Sequence, residues 1–249
     1  MKSSFFKNNF SDFLNSKLFK AVLFLLLIMS YLTVSNCKGA DVISSISLVF
    51  GHRIFVALCL LPIFLFITNY VCTIFDKDIY SIIRFGNKKK YYKELIKNVI
   101  LFISTIFLIT VMIVVTVENI INDYGYHIFY DENFHTYNLI YMIFVIVKFY
   151  LFSILFSAIN ALLIKTFNSK IVIALNFIFY AAVFYSGNFV PVIESFGNIS
   201  LFIGNYLVTG VLYKAFWINI LANVLMILLL SVLLVILFCY TEKRRRDID

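Results

Sequence analysis

Charge is what this chain is shortest of. Of its 249 residues, 14% are charged and 62% hydrophobic, where a soluble globular domain carries roughly 25% charge. That balance excludes an ordinary soluble enzyme and leaves no room for a catalytic domain beside the membrane-embedded part. Cysteine is sparse: Cys37, Cys59, Cys72 and Cys239 are scattered, with no CxxC. Only Cys37 is expected outside the bilayer on the far side, so no disulfide framework or zinc–thiolate site is expected. Catalytic signatures are missing too. There is no GxSxG, no HExxH, no GxxxxGK[ST], and no pair of intramembrane carboxylates; proteolysis and nucleotide hydrolysis have no visible machinery. The three histidines (His52, His127, His135) fall on the side of the membrane opposite Cys72 and Cys239. A thiol–imidazole couple, which needs hydrogen-bond reach, is therefore separated by the bilayer.

What the chain has in abundance is apolar length. A crossing takes roughly 20 apolar residues, and six fit: about 18–35, 54–75, 99–117, 139–164, 171–186 and 216–240. The expectation is an all-α polytopic membrane protein, a single transmembrane domain over 1–249. The first span follows lysines and has a faint lipoprotein-like VSNC at 34–37, but Asn36 is a poor residue before such a cysteine. It reads as an uncleaved helix. Pro62, inside the second span, removes a backbone donor and predicts a kink. Ahead of the first span, Phe6, Phe10, Phe13 and Leu14 share a helical face, so residues 1–17 read as an interfacial amphipathic helix, the alternative being a frayed tail.

Basic residues are distributed unevenly. With both termini inside, 17 of the 21 Lys and Arg lie on the inner side and three (Lys38, Arg53, Lys214) outside; Lys148 lies within a span. Reversing the orientation breaks the positive-inside rule in every segment, so the plasma membrane with cytoplasmic termini is the expected location. The net charge of +8 then reflects one membrane face and does not imply a nucleic-acid partner.

Seven of the basic residues sit in 76–97, DKDIYSIIRFGNKKKYYKELIK. This segment reads either as a docking element for a soluble partner or as a loop that only sets topology. The outer loop 118–138 is its inverse, with Glu118, Asp123, Asp131 and Glu132 and no Lys or Arg. His127, Asp131 and His135 at i, i+4 and i+8 would share a face only on a helix, and solvated histidines are the simpler reading; no metal is expected. Lys148, about 13 Å from the outer end of its span, would cost roughly 2.5–3.5 kcal/mol uncompensated. It faces a wet cavity, faces a carboxylate such as Glu118, or snorkels outward. Residues 187–210, broken by Gly187, Pro191, Gly197, Gly204 and Gly210, read as a re-entrant outer hairpin or as a surface loop.

In layout the chain resembles the permease subunits of ABC-2-type exporters, compact forms of which handle bacteriocins, lantibiotics and other amphipathic peptides in Gram-positive bacteria. The interfacial helix, the basic IIRFGNKKKYYKE loop and the broken SGNFVP…GNY stretch carry the resemblance. It implies a membrane-embedded transport subunit with no ATPase site of its own. ATP and Mg would be held by a partner pair of ATPase subunits, and a second permease copy or a related chain would complete the pathway for an amphipathic peptide or lipid-like substrate. Carried over by position, Tyr80, Arg84, Lys88, Lys89, Lys90, Tyr91 and Glu94 belong to the ATPase-coupling loop, and Pro191, Glu194 and Gly197 to the outer hairpin. Lys148 departs from that pattern and reads as a pathway or interface residue. The alternative function is a non-transport immunity or sensor protein that binds a peptide at its outer face.

Overall fold

A computed structural model describes residues 10–37, 41–52, 54–77, 88–122, 125–131, 136–167, 169–185 and 216–244. The expected interfacial helix falls partly within them, and residues 10–15 are helical. The described residues then form the helices α1 (Lys17–Asn36), α2 (Val42–Gly51), α3 (Leu61–Lys77), α4 (Lys88–Ile121), α5 (Asn138–Thr166), α6 (Ser169–Tyr185) and α7 (Phe216–Arg244). Between α4 and α5, β1 (Tyr130–Asp131) pairs antiparallel with β2 (Thr136–Tyr137). Among the described residues, five helical stretches are long and apolar enough to cross a membrane: Lys17–Asn36, Phe55–Phe75, Lys89–Ile121, Asn138–Thr166 and Asn223–Glu242. The chain is thus an all-α protein of membrane-spanning character. α6, where a further crossing is expected, is a helix of 17 residues, and the hairpin expected at 187–210 lies outside the described residues.

The helices hold their polar residues by turning them on their own backbones. Thr33, Thr68, Ser104, Thr110 and Ser153 each donate a hydroxyl to the carbonyl four residues earlier, at 2.7–2.9 Å, which satisfies these groups where no water is at hand. Ends are capped by short polar side chains. Ser16 Oγ accepts from Phe19 N–H at 3.1 Å, and Asp41 Oδ1 accepts from Ser44 N–H at 2.9 Å, each satisfying a donor that a helix start leaves unpaired.

Pro62 leaves its mark upstream. Residues Phe55–Leu60 form a π-helical turn, closed by Leu61 N–H on Val56 O. Proline cannot donate to the carbonyl four residues back, and its ring crowds that carbonyl; a wider turn relieves the crowding. Tyr180 of α6 donates its hydroxyl to Leu61 O at 3.1 Å, which pins α6 to this irregular point.

α5 is the hub. It packs against α2, α3, α4, α6 and α7 and runs antiparallel to α4, as the Tyr150–Ser104 hydrogen bond of 2.9 Å and the Lys165–Tyr91 contact show. One end of the bundle therefore gathers the start of α4 and the finish of α5, the cationic end. The other gathers Asp41, Glu118 and the hairpin, the acidic end.

α2 is the departure from a simple span-and-loop reading, since residues 36–52 read as an outer loop. The segment VISSISLVFG is instead a helix with seven buried residues, among them Val42, Ile46 and Phe50. It starts at the acidic end, where its cap Asp41 accepts from Asn138 Nδ2 at 3.1 Å. At its far end the Phe50 ring lies 6.0 Å from Phe107 and 6.5 Å from Phe149. Phe149 is 11 residues into α5, about 16 Å along the helix. α2 thus reaches down between α4 and α5. Ten residues span only about 15 Å, too short to cross. With Phe64, 6.4 Å from Phe149, these rings form the centre of the core.

Candidate functional site

The cationic end carries the most constructed site. Tyr91 and Tyr92, in the first turn of α4, are buried to 3% and 2% exposure. The rings form a chain: Phe75 to Tyr91 at 5.8 Å, Tyr91 to Tyr92 at 5.3 Å and Tyr92 to Phe238 at 6.4 Å. That chain joins the end of α3, the start of α4 and α7. Lys165, in the last turn of α5, closes it. Its Nζ donates to Cys72 O at 3.0 Å and sits over the Tyr91 ring, 5.9 Å from the centroid. Lysine near a helix C-terminus is already favourable to the end carbonyls, and here it bridges to the carbonyl of a neighbouring helix. Cys72 Sγ faces Ala161 O at 3.9 Å. The two helices flanking the cationic loop are thereby clasped to one another and to α5.

The N-terminal segment adds a second fastening. Phe13, fully buried, lies 5.3 Å from Phe19, 5.3 Å from Tyr70 and 5.2 Å from Phe102, while Phe10 stacks edge-on to Phe102 at 5.3 Å. Rings at these spacings and tilts are favourable pairs. Phe13 is therefore seated between α1, α3 and α4, and Phe10 against α4; Phe6 lies outside the described residues.

The expected coupling residues separate on inspection. Tyr80 and Arg84 lie outside the described residues, and Lys88 opens α4. Lys89 and Lys90 are exposed, Glu94 is half-buried, and Tyr91 is inside the clasp. Pro191, Glu194 and Gly197 also lie outside the described residues. Lys148 is 6% exposed, enclosed by the bundle and not on its outer surface. It sits beside Phe149, at the level of Phe107; Glu118 is 11 residues further along α4, about 16 Å.

At the acidic end the hub is Asn138, which sequence reasoning passed over. Its Nδ2 donates to Asp41 Oδ2 at 3.1 Å and to His127 O at 2.8 Å. Its Oδ1 accepts from Leu139 N–H at 2.8 Å and from Phe129 N–H at 3.3 Å. One buried amide thus joins the α2 cap, the hairpin approach and the start of α5. The only sequence signal was an asparagine at the junction of a loop and an apolar run. Glu118 is fully buried and accepts from Asn122 Nδ2. Cys37, just beyond α1, has its thiol pushed up from 9.0 by burial first and by the Glu118 carboxylate second. Asp131 lies in β1 and His127 in the non-helical run before it, so the helical face that would align the two does not form; His135 lies outside the described residues. Among the described residues no three His, Cys, Asp or Glu side chains gather as a metal site.

No family model, curated protein or solved structure matches this chain. Its function rests on its own geometry.

Proposed function

We propose that the chain is the membrane-spanning permease subunit of an ATP-binding-cassette exporter, moving an amphipathic peptide or lipid-like molecule across the plasma membrane. Its power comes from a separate pair of ATPase subunits, and a second permease copy or related chain completes the pathway. The supporting observation is the clasp. Residues 78–87 connect α3 to α4, and both of their flanks are locked to α5 through Phe75, Tyr91 and Lys165. α4 continues without a break from the basic turn to the acidic end, 34 residues in all. A displacement of the loop is therefore delivered to the whole bundle as a rigid-body change, the kind of element through which switching transitions act.

In this reading Tyr80, Arg84 and Lys88–Lys90 meet the ATPase, while Tyr91 passes the movement inward from behind them. Positive-inside asymmetry supports a cytoplasmic position for this end and both termini. The test is co-purification from the native host at low detergent. An ATPase should accompany the chain, and its hydrolysis should fall when Arg84 and Lys88–Lys90 become alanine. A chain that purifies alone, or labelling that finds 84–93 on the outer surface, overturns the reading and favours a stand-alone immunity or sensor protein.

A further inference from the structure

The lysines of α4 are not all placed to meet a soluble partner. Lys89, Lys90, Lys93 and Lys97 are all exposed. At 3.6 residues per turn they occupy an arc of about 100°. The buried residues of the same turns, Tyr91, Tyr92, Leu95, Asn98 and Val99, fall on the opposite side. The basic arc continues into an apolar one. Lys90, Lys93, Lys97 and Leu101 stand at successive spacings of three and four, and two turns beyond Leu101 the same side of the helix presents Leu108 and Met112; the three apolar residues are exposed by 38%, 64% and 69%. Spacings of three and four keep residues in one row along a helix. This row is apolar and turned away from the bundle where α4 is membrane-spanning, and it becomes cationic in the turns just beyond.

We infer that Lys93 and Lys97, with Lys90 at the edge, form a binding surface for the phosphate groups of anionic phospholipids. A row that faces acyl chains at Leu101 and Leu108 faces headgroups two or three turns further on, since α4 rises about 1.5 Å per residue. Basic groups there are drawn to anionic headgroups by about one Debye length of unscreened field, each contributing roughly a fivefold preference. Their aliphatic stems lie along the apolar row while the ammonium groups reach the phosphates. Beside this surface along α4 itself stands Glu94, half-buried; it lies at the border of the basic arc and leaves its net charge positive. The partner is thus the lipid surface, and the proposal goes beyond the coupling reading and stands independently of it.

The experiment uses full-length protein and no nucleotide. It is reconstituted in nanodiscs of phosphatidylcholine with or without phosphatidylglycerol, and co-retained lipid is counted by native mass spectrometry. Wild type should retain phosphatidylglycerol at least tenfold over its share of the disc in 0.1 M salt and lose that preference in 1 M salt. Lys93→Gln with Lys97→Gln should lower the preference by roughly 20-fold or to the level of phosphatidylcholine, and Lys93→Arg with Lys97→Arg should restore it. Protection of Cys59 from alkylation in each variant shows that the fold is kept. No preference in wild type overturns the inference, as does an undiminished preference in the glutamine pair. Loss of lipid to inorganic phosphate at constant ionic strength assigns the site to free phosphate, and capture of an acidic protein without lipid preference assigns it to a protein; either also overturns it.

Discussion

Replacing Lys165 by methionine keeps the length of the side chain and removes its charge. Among the interactions lost are the hydrogen bond to Cys72 O at 3.0 Å and the position over the Tyr91 ring at 5.9 Å. A hydrogen bond from a charged donor contributes about 1.5–3 kcal/mol and a partly exposed cation–π contact about 0.5–1 kcal/mol. Lys165 is only half-buried, so solvent screening brings the total down to about 1–2 kcal/mol. The loss falls on local opening of the cationic end, which the protein reports itself. Cys72 is 1% exposed and next to the clasp, whereas Cys59 is fully buried above it. Alkylation of Cys72, followed by peptide mass spectrometry in a background lacking Cys37 and Cys239, should accelerate about 5- to 30-fold, with each 1.4 kcal/mol a factor of ten. Cys59 should stay protected. Cys72 as slow as in wild type refutes the clasp. Equal acceleration at Cys59 shows global loosening and refutes its local character.

Asn138→Leu fills the same space but abandons four side-chain bonds and leaves Asp41 without its buried donor; it should cost about 2–4 kcal/mol, read as a lowered unfolding midpoint in detergent. Cys37 should alkylate with a midpoint above 9.0. Because its folded pKa is raised, the folded state holds the proton longer than the unfolded state, so the associated stability is complete below pH 9 and is lost as pH rises through the folded value. Glu118→Gln removes the second of the two causes and should move the midpoint back toward 9.0. Phe13→Ala empties a site bounded by Tyr70 and Phe102 and should loosen α3 from α4, giving faster protease cleavage within residues 78–87 with membrane insertion unchanged; deletion of 1–16 should do the same and, under the proposed permease function, reduce transport.

The long apolar helices were legible because run length and scarcity of charge translate directly into crossings. α2 was not. Its ten residues are too few for a span, and the charges around it (Lys38, Asp41, His52, Arg53) mimic a loop. In retrospect Asp41 followed three residues later by Ser44, then an unbroken apolar run, carries the signature of a capped helix start. The clasp was half legible. The Tyr91–Tyr92 pair among lysines stood out, but nothing local says that its partner is Lys165, because that pairing depends on how far α5 runs alongside α4. Asn138 was invisible for the same reason: a lone asparagine has no period, and its value lies in three backbone segments converging on one amide.

Apolar content also fails to say which side of a helix meets lipid, and α5 and α7 show why. Both are 29 residues long and rich in Leu, Ile and Val, yet α5 is the hub and α7 exposes Leu225, Leu228, Leu229, Val232 and Ile236 by half or more. Water cannot make this distinction, because both helices are already out of it; lipid tails are as apolar as leucine, so helices sort by packing and polar contacts. The informative residues are then the small and polar ones. α5 carries Ser153, Ser157, Ala158, Asn160 and Ala161, all buried, with Asn160 Oδ1 accepting from Asn176 Nδ2 of α6 at 2.8 Å. Small side chains let neighbours approach, and an amide in lipid must find a partner. Among the described side chains of α7, the buried asparagine is Asn223, which stands near the helix start. A reading of this chain weighted toward Ser, Ala and Asn positions would have placed α5 at the centre, and with it the enclosure of Lys148.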